Sequence, residues 1–329
     1  MNPFSYTRVT EVAEAVELIS SDASARVVAG GTNLLDLMKE RVEQPGRLVD
    51  ITHLPLGKIE VTARGGLRLG ALATNTEVAY HPLVERRYPL LSKAILAGAS
   101  AQLRNMASVG GNLLQRTRCM YFYDRAARCN KRVSGTGCSA INGLNRAHAI
   151  LGTSEYCIAT HPSDMCVALA ALDAEILVTG AGGERSIPFG ELHRLPGETP
   201  EIDTTLRRDE LITAVELPPD GFATHYAYVK IRERASYAFA LVSVAAVLRL
   251  EEGSIAEARI ALGGVAHKPW RDRQVEALLH SRRATPESFR AAAEAMLRDA
   301  RGFGHNDFKI ELAKRAIVRA LTQASGASA

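Results

Sequence analysis

Along the first two thirds of the chain, segments whose hydrophobic residues have helical spacing alternate with short apolar runs typical of strands. Helical spacing predicts helices over residues 8–22, 34–42, 90–101 and 164–172. Short apolar runs predict strands at residues 26–29, 48–51, 67–69 and 175–179. In the first helix, Val12, Ala15, Val16 and Ile19 would form the buried face, and Thr74 with Glu77 fits a capping box. This part of the chain is therefore predicted to mix short helices with short strands.

The last third of the chain has a different order of elements. The sequence Pro-Pro-Asp-Gly at 218–221 interrupts the pattern and indicates a boundary. After it come three strand-like runs, at 224–232, 239–250 and 255–262, and then three helical runs, near 270–280, 286–299 and 306–322. Strands followed by helices are typical of an α+β unit with an antiparallel sheet. We therefore predict two domains, residues 1–220 and 221–329.

Composition and charge exclude several classes of protein. The 329 residues are 47% apolar and 23% charged, which is ordinary for a globular protein and rules out a disordered chain or a coiled coil. The longest apolar stretches, such as Met165–Ala171, fall short of the ~18 residues that a membrane span needs. We expect no secretory signal in this chain, since the N-terminus lacks a basic start and an apolar core. The net charge of +4 implies no polyanionic partner.

Two glycine pairs are the first chemical signal. Gly30-Gly31 follows a predicted strand and precedes a helix, and Gly110-Gly111 forms a second turn flanked by Ser108 and Asn112. Glycine allows backbone N–H groups to approach phosphate oxygens, and a helix N-terminus adds partial positive charge. Neither common nucleotide-binding glycine motif is present, and a glycine pair is often purely structural. The pattern alone leaves phosphate binding and simple turns equally open.

The cysteines form the second signal. Cys119, Cys129, Cys138 and Cys157 follow the spacing C-x9-C-x8-C-x18-C in a glycine-containing segment without helical or strand periodicity, whereas Cys166 lies in an apolar stretch and is predicted to be core. In an unexported chain, clustered cysteines are more often metal ligands or catalytic thiols than disulfides. Zinc sites usually contain a short C-x2–4-C pair, which is missing, while iron–sulfur clusters accept more varied spacings. Four unrelated buried thiols remain the alternative.

Basic residues surround the first of these cysteines. Between residues 115 and 132 six basic side chains stand against one acid, Asp124, which gives this segment a charge of +5. Nearby cations lower the pKa of cysteine and offset the negative charge of a thiolate-bound cluster. The same cations interleaved with Tyr121, Phe122 and Tyr123 are also compatible with a nucleic-acid surface or with a solvated positive face.

The two glycine segments resemble the pyrophosphate loops of one family. Ala29–Leu34 and Ser108–Asn112 are similar to those of the FAD-binding subunits of molybdenum hydroxylases, a group that includes xanthine dehydrogenase, carbon monoxide dehydrogenase and aldehyde oxidoreductases. The resemblance covers nearly the whole chain, including the Pro-Ser-Asp run that ends at Asp164. It implies an α+β fold in which a two-part FAD domain of the vanillyl-alcohol oxidase and MurB type precedes a smaller C-terminal domain with an antiparallel sheet.

The resemblance also implies a set of cofactor-binding residues. The backbone of the two glycine loops would hold the FAD pyrophosphate, Asp164 would contact ribose or ribityl hydroxyls, and Ile212 and Lys230 would lie near the flavin. The full implied set is Arg26, Val27, Val28, Ala29, Gly30, Gly31, Thr32, Asn33, Leu34, Ser108, Gly110, Gly111, Asn112, Asp164, Ile212 and Lys230. We also hypothesise that the Lys230 ammonium stabilises an anionic reduced flavin.

The four-cysteine insert at 115–158 resembles two branches of this family. The closer match is the FAD and [4Fe–4S] subunit of periplasmic aromatic aldehyde oxidoreductases, and the other is the flavin subunit of 4-hydroxybenzoyl-CoA reductases. By this resemblance Cys119, Cys129, Cys138 and Cys157 ligate a [4Fe–4S] cluster. The implied partners are a molybdenum-cofactor catalytic subunit, a small [2Fe–2S] subunit and an external electron acceptor.

The resemblance thus predicts an electron-transfer subunit in which no residue acts on the aldehyde. The absence of a nucleophile elbow and of the H-E-x-x-H motif agrees with this prediction. The alternatives are a stand-alone flavin oxidoreductase, a zinc-dependent nucleic-acid module and the hydroxybenzoyl-CoA reductase subunit. The closer relatives are exported as folded complexes by a signal on another subunit, so we expect a periplasmic location, with the cytoplasm as the alternative.

Overall fold

The computed structural model describes residues 1–326, whose helices and strands fall into three groups along the chain. The first group is β1 (Ser5–Arg8), α1 (Val12–Ser21), β2 (Ala25–Val28), α2 (Leu34–Lys39) and β3 (Arg47–Asp50). The second is β4 (Ile59–Val61), β5 (Leu67–Gly70), α3 (Asn75–Tyr80), α4 (Pro82–Arg87), α5 (Pro89–Ala97), α6 (Ala101–Arg104), α7 (Val109–Leu113), α8 (Met120–Tyr123), α9 (Asp164–Ala171), β6 (Glu175–Gly180), β7 (Gly183–Pro188), α10 (Phe189–Leu192) and β8 (Leu211–Leu217). The third is β9 (Tyr226–Ile231), β10 (Val242–Glu251), β11 (Ser254–Gly263), β12 (Trp270–Arg271), α11 (Arg273–Leu279), α12 (Pro286–Met296) and α13 (Phe308–Ala324).

The first group forms a small parallel sheet. Its strand order is β1-β3-β2, and α1 covers it with the buried residues Ala15, Val16 and Ile19 that the helical spacing predicted. The helix begins at Val12 rather than at residue 8, because residues 5–8 are extended and pair with β3. Strand β2 ends at Val28, one residue short of the first glycine pair, which places that loop at the carboxyl edge of the sheet.

The second group is built around a five-stranded antiparallel sheet with strand order β4-β5-β8-β6-β7. Helices α3, α5 and α9 share its apolar core. Helix α3 begins with the predicted capping box, in which the Thr74 side chain accepts from the Glu77 backbone N–H and the Glu77 side chain accepts from the Thr74 backbone N–H. Strand β8 belongs to this sheet and carries Leu211 and Ile212 back to the first glycine loop.

The third group confirms the predicted antiparallel sheet followed by helices. Its strand order is β12-β11-β10-β9. Strand β10 is buried on both faces, since Ala245 and Val247 pack towards the core of α5 and α9 while Val244 and Ala246 pack towards α12 and α13. Burial on both faces explains why this strand reads as a continuous apolar run instead of an alternating one.

The segment between α7 and α9 contains little regular structure. Its only elements are the single-turn helix α8 and an isolated antiparallel bridge between Cys129 and Cys138. The segment is bonded to Asn33 of the first glycine loop through the Arg116 backbone N–H, and to Asn306 and Lys309 at the N-terminal end of α13 through the His148 carbonyl. Within residues 1–326 no helix combines the length and the apolar character needed to cross a bilayer.

Candidate functional site

The two glycine loops face each other across one cavity of about 390 Å³. Thirteen of the sixteen residues implied by the resemblance line it: Arg26, Val27, Val28, Ala29, Gly30, Gly31, Thr32, Asn33, Leu34, Ser108, Gly110, Gly111 and Ile212. The other three, Asn112, Asp164 and Lys230, lie outside this cavity. The structure therefore brings together residues that are 186 positions apart in the sequence (26 and 212), which fits a pocket for an extended ligand.

Close backbone contacts explain why glycine is required in both loops. A Cβ at Gly30 would lie 1.8 Å from the carbonyl oxygen of Met106, which belongs to the segment leading into the second loop. Gly31 adopts φ +69°, a left-handed conformation that favours glycine. Gly110 donates its N–H to the carbonyl of Ala71 at 2.8 Å, and a Cβ there would meet Ala71 at 3.3 Å. The loops thus pack backbone against backbone around the cavity.

Asn33 provides a polar group for a ligand in this cavity. Its Oδ1 accepts from the backbone N–H of Arg116 at 2.8 Å, which fixes the orientation of the side chain. Its Nδ2 is buried and has no protein partner among residues 1–326. A buried amide donor without an acceptor is costly, and a phosphate oxygen would satisfy it. The cavity, the loops without Cβ atoms and this free donor together fit a pyrophosphate.

Asp164 and Lys230 form a separate buried group. The Lys230 ammonium donates to Asp164 Oδ2 at 2.8 Å and to the carbonyl of Ala97 at 2.9 Å, while the Tyr228 hydroxyl donates to Asp164 Oδ1 at 2.6 Å. Burial and the Asp164 charge raise the pKa of Tyr228 well above its usual value, so this hydroxyl stays protonated. Lys230 thus neutralises Asp164, and the hypothesis that its charge acts on a flavin remains untested.

A second cavity, of about 270 Å³, lies beside this ion pair. Asp164 and His161 line it from the start of α9, and Arg118 and Cys119 line it from the cysteine segment. Asn112 connects the two regions, because its Oδ1 accepts from the hydroxyl of Ser163, next to Asp164. The implied cofactor residues therefore occupy two neighbouring places joined through the end of the second glycine loop.

The four predicted cysteine ligands converge on one small enclosed cavity. Cys129 and Cys157 are buried, whereas Cys119 and Cys138 are partly buried. A hydrogen bond from the Cys157 thiol lowers the pKa of Cys138 to about 6, and the same bond together with burial raises the pKa of Cys157. Burial raises the pKa of Cys119 to about 11. Four sulfur atoms converging from one irregular segment are the arrangement that a multinuclear metal cluster requires.

The spacing of these sulfur atoms argues against a single zinc ion. Around tetrahedral zinc the sulfurs would be roughly 3.8 Å apart, given a Zn–S bond of about 2.3 Å. No three of the four sulfurs lie within 4.8 Å of one another. In residues 1–326 such proximity occurs for His161, Cys166 and His193, but burial raises the pKa of the Cys166 thiol to about 12, in agreement with its predicted place in the core.

The basic residues of the cysteine segment are engaged inside the molecule. The Arg132 guanidinium donates to the carbonyls of Tyr121 at 2.9 Å and Phe122 at 2.8 Å, which folds the chain around α8. Lys131, whose side chain is 2% exposed, donates to Asp203, and Arg116 donates to the other oxygen of the same carboxylate at 2.9 Å. These bonds leave few of the cations free for a nucleic-acid partner. They instead fix the path of the cysteine segment, which acts as a scaffold.

Asp203 holds this scaffold to the rest of the protein, and we predict that Asp203→Asn lowers the free energy of unfolding by about 2 kcal/mol at neutral pH. This is less than for a fully buried pair, because the Asp203 side chain is 34% exposed. Burial by itself would raise the pKa of Asp203, but Lys131 and Arg116 outweigh it and lower the pKa to about 2. The stabilisation is therefore present above the unfolded pKa near 4 and is lost as pH falls towards about 2. Urea unfolding at pH 7, 5 and 3 measures both effects.

Asp299→Asn is the matched control for this prediction. Asp299 is also paired with an arginine, but its side chain is 80% exposed. An exposed pair contributes little, so the control should unfold like the original chain. Equal unfolding of the two variants at pH 7 would show that Asp203 does not hold the cysteine segment.

Three parts of the site were not predicted from the sequence: Asp203, Met106 and His148. Asp203 lies 72 residues from Lys131, and Met106 acts through its backbone, so neither carries a local motif. His148 Nε2 lies 3.1 Å from Cys119 Sγ. Its position between two of the clustered cysteines was the only sequence signal, because histidine is a common neighbour of metal sites.

The chain matches two protein-family models. Residues 2–220 match the FAD binding domain in molybdopterin dehydrogenase, and residues 227–324 match the CO dehydrogenase flavoprotein C-terminal domain. The matches agree with the order of the three sheets and the helices described above. They also confirm the predicted family and the FAD-binding fold.

Individual relatives agree with these matches. The chain is 50% identical over 325 residues to the aldehyde oxidoreductase FAD-binding subunit PaoB of Escherichia coli K12, covering 98% of this chain and 99% of the relative. It is 29% identical to the glyceraldehyde dehydrogenase medium chain of Sulfolobus acidocaldarius, covering 83% of this chain and 79% of the relative. Among solved structures, it is similar to the carbon monoxide dehydrogenase of Hydrogenophaga pseudoflava with a TM-score of 0.78 and 26% identity, covering 100% of this chain and 99% of that one.

Proposed function

The chain belongs to the family of FAD-binding subunits of molybdenum hydroxylases, and from this premise we propose that it is the electron-transfer flavoprotein subunit of a molybdenum-dependent aldehyde oxidoreductase. It would carry FAD and a [4Fe–4S] cluster. The observation that carries the proposal is the convergence of four cysteines in one cavity close to the paired glycine loops. The 50% identity to the FAD-binding subunit of an aldehyde oxidoreductase supports the choice of aldehydes as the substrate class.

The glycine loops would hold the FAD pyrophosphate. Gly30, Gly31 and Gly111 bring the backbone close to the ligand, and the Asn33 amide supplies a buried donor that no protein acceptor uses. Asp164 and Ile212 would contact the remaining parts of the dinucleotide, as the family resemblance implies. The work of this chain towards FAD is to bind it, orient it and exclude water from it.

The cysteine segment would hold the cluster through Cys119, Cys129, Cys138 and Cys157. Their convergence in one cavity, with no three of the sulfurs close enough together for one ion, supports a cluster with several iron atoms. The Lys131–Asp203 pair and the Arg132 bonds preserve the path of the segment and keep solvent from it. When bound, the two groups would supply reversible electron transfer.

The aldehyde itself would be oxidised elsewhere in the complex. We assign that chemistry to a molybdenum-cofactor subunit, with a small [2Fe–2S] subunit passing the electrons to this chain and an external acceptor receiving them. Among residues 1–326, no paired acid and base faces the glycine-loop cavity: the acids lining it are Glu43 and Glu210, which form ion pairs with arginines. This chain would therefore contribute no catalytic residue to aldehyde oxidation.

Cofactor content and reduction test the proposal together. The full chain, purified anaerobically, is expected to contain about one FAD and about four iron and four labile sulfide atoms per polypeptide, as a single [4Fe–4S] cluster requires. Adding an aromatic aldehyde to the isolated chain should leave the flavin oxidised. Adding the same aldehyde to the complete complex should reduce the flavin on the time scale of catalytic turnover. Absorbance at the flavin maximum measures the reduction, and colorimetric assays measure iron and sulfide.

Each alternative function predicts a different outcome. If the purified chain contained zinc and no labile sulfide, the cysteines would form a zinc site instead of binding a cluster. If it contained flavin and no iron, the chain would be a flavin subunit without a cluster. Reduction of the isolated chain by a small substrate or NAD(P)H would favour a stand-alone oxidoreductase. A complex whose reduced flavin is reoxidised by 4-hydroxybenzoyl-CoA, and whose oxidised flavin is not reduced by aldehydes, would place the chain in the 4-hydroxybenzoyl-CoA reductase branch.

We propose a periplasmic location for the assembled complex, with export directed by a signal on a partner subunit. A cluster-bearing chain has to fold and acquire its iron before translocation, so this route requires export in the folded state. Cell fractionation tests the proposal. Holo-complex found only in the cytosolic fraction would contradict it.

A further inference from the structure

One histidine lies directly against the group of four thiols. His148 Nε2 is 3.1 Å from the sulfur of Cys119, and the ring is buried with 6% exposure. The Tyr121 ring lies beside it, with the ring centroids 6.3 Å apart. His148 is therefore placed to act on a cluster ligand without being one of the four ligands itself.

The C-terminal domain holds this histidine in place. Lys309, at the start of α13, is fully buried and donates to the backbone carbonyl of His148 at 2.7 Å and to that of Gly264. Asn306 donates to the carbonyl of Ala149 at 3.0 Å. Within residues 1–326 no carboxylate accepts from the Lys309 amine, and burial lowers its pKa to about 7. Its donors are instead matched by backbone carbonyls that all belong to the segments it fixes. These bonds fix the backbone around His148, although removing the Lys309 amine from water costs free energy.

We propose that His148 is a positioning residue that donates an Nε2–H hydrogen bond to the Cys119 thiolate and raises the reduction potential of the cluster. The inference rests on the [4Fe–4S] cluster of the proposed function. A thiolate bound to iron carries no proton, so the imidazole must be the donor in this contact. The opposite ring nitrogen, Nδ1, is buried and has no protein partner in the described part of the chain, and in this tautomer it carries only a lone pair.

The direction of the effect follows from charge. Reduction adds negative charge to the cluster and its sulfur ligands, and a hydrogen bond to a ligand sulfur stabilises the more negative state. Loss of the Nε2–H donor therefore lowers the potential, whereas a replacement that keeps a donor at the same place preserves it. A role confined to packing would not distinguish between the two replacements.

The position of Cys119 makes this contact relevant to electron transfer. Cys119 lines the cavity of the four thiols and also the second cavity, which Asp164 and His148 line. It is thus the ligand that faces the region where part of the flavin would bind. A hydrogen bond at this sulfur acts on the side of the cluster through which electrons would exchange with FAD.

The test compares two replacements of His148 in the anaerobically purified full chain. His148→Leu removes the donor, and His148→Gln keeps an amide N–H of similar reach. We expect His148→Leu to shift the reduction equilibrium of the cluster about tenfold towards the oxidised form, which is about 59 mV for one electron. His148→Gln should restore most of the shift. The readout is the midpoint potential from a redox titration followed by electron paramagnetic resonance, with iron and sulfide content measured in the same samples.

His305→Leu provides the matched control. His305 is exposed and lies just before α13, the helix that carries Lys309. It should leave the potential unchanged. A His148→Leu variant with full iron content and an unchanged potential would overturn the inference while leaving the cluster intact. Equal potentials in the Leu and Gln variants, both below the original, would reduce His148 to a packing role and also overturn it. Absence of iron from the unaltered chain would instead overturn the proposed function.

Discussion

Replacing Cys129 by serine is expected to abolish binding of the iron–sulfur cluster, from about four iron atoms per chain to nearly none. Cys129 is 7% exposed and is one of four sulfurs around the enclosed cavity. Serine is a much poorer ligand for iron than a thiolate, and a cluster that has lost one ligand is easily lost altogether. Iron and labile sulfide assays on the purified full chain measure the loss directly.

The same substitution should also loosen the cysteine segment. Binding of a metal group contributes its free energy to the fold when the site exists only in the folded chain. Residues 115–158 have one helical turn and one isolated bridge, so side-chain bonds and the cluster would provide most of their order. Limited proteolysis of Cys129→Ser is expected to produce cleavage in this segment, while the sheets stay intact.

Cys166→Ser is the matched control. Cys166 is fully buried in α9, outside the cavity of the four thiols, and its raised pKa keeps it protonated. Its replacement should retain the full iron content and cost only packing energy. Full iron content in Cys129→Ser, or equal loss in both variants, would contradict the assignment of Cys129 as a ligand.

The elements that the sequence predicted are those whose local pattern agrees with their packing. The three predicted strands and three predicted helices after residue 221 are all present, because each strand has at least six residues and each helix carries a regular apolar stripe. The two-residue strand β12 (Trp270–Arg271) was wrongly included in the helix predicted near 270–280. Strand β1 was not predicted, since a four-residue strand has too few positions to establish a period, and its last residue, Arg8, was assigned to the first helix. Its extended form depends on pairing with β3, more than forty residues further along the chain, which no local pattern encodes.

The same distinction applies to the site. The glycine loops and the cysteines were identified because their residue types are chemically restricted, and the structure brings each set together. The groups that hold them were missed. Asp203 and Lys309 are ordinary charged residues in the sequence, and their roles arise from buried contacts with Lys131 and with the backbone of His148. Contacts between distant segments depend on the completed fold, so they leave no spacing to recognise.

Replacing Gly30 by alanine is the second change for which we expect a large effect, a loss of FAD affinity of tenfold or more. The new Cβ would lie 1.8 Å from the Met106 carbonyl oxygen and 2.7 Å from its carbon. Both are backbone atoms, so the clash can be relieved only by moving one loop away from the other. Overpacking of this kind costs about 1–3 kcal/mol, and each 1.4 kcal/mol is a factor of ten in affinity.

Asn33→Leu separates binding from folding in this test. It adds no Cβ to the loop and removes the buried Nδ2 donor that lacks a protein acceptor within residues 1–326. It also removes the Oδ1 acceptor of the Arg116 backbone N–H, so the fold of this variant is measured separately. It should weaken FAD binding about tenfold, since a hydrogen bond to a charged group is worth about 1.5–3 kcal/mol.

Gly190→Ala is the matched control for both loop variants, because a Cβ at Gly190 meets no atom within 4 Å. Flavin absorbance per polypeptide and titration of the apo-chain with FAD measure the affinities, and circular dichroism verifies that each variant is folded. If folded Gly30→Ala and Asn33→Leu both bound FAD like Gly190→Ala, the dinucleotide would have to lie elsewhere than between the glycine loops. Weakened binding in both, with the fold preserved, follows only if the phosphates lie between the two loops, because the substitutions act on the same cavity by unrelated means.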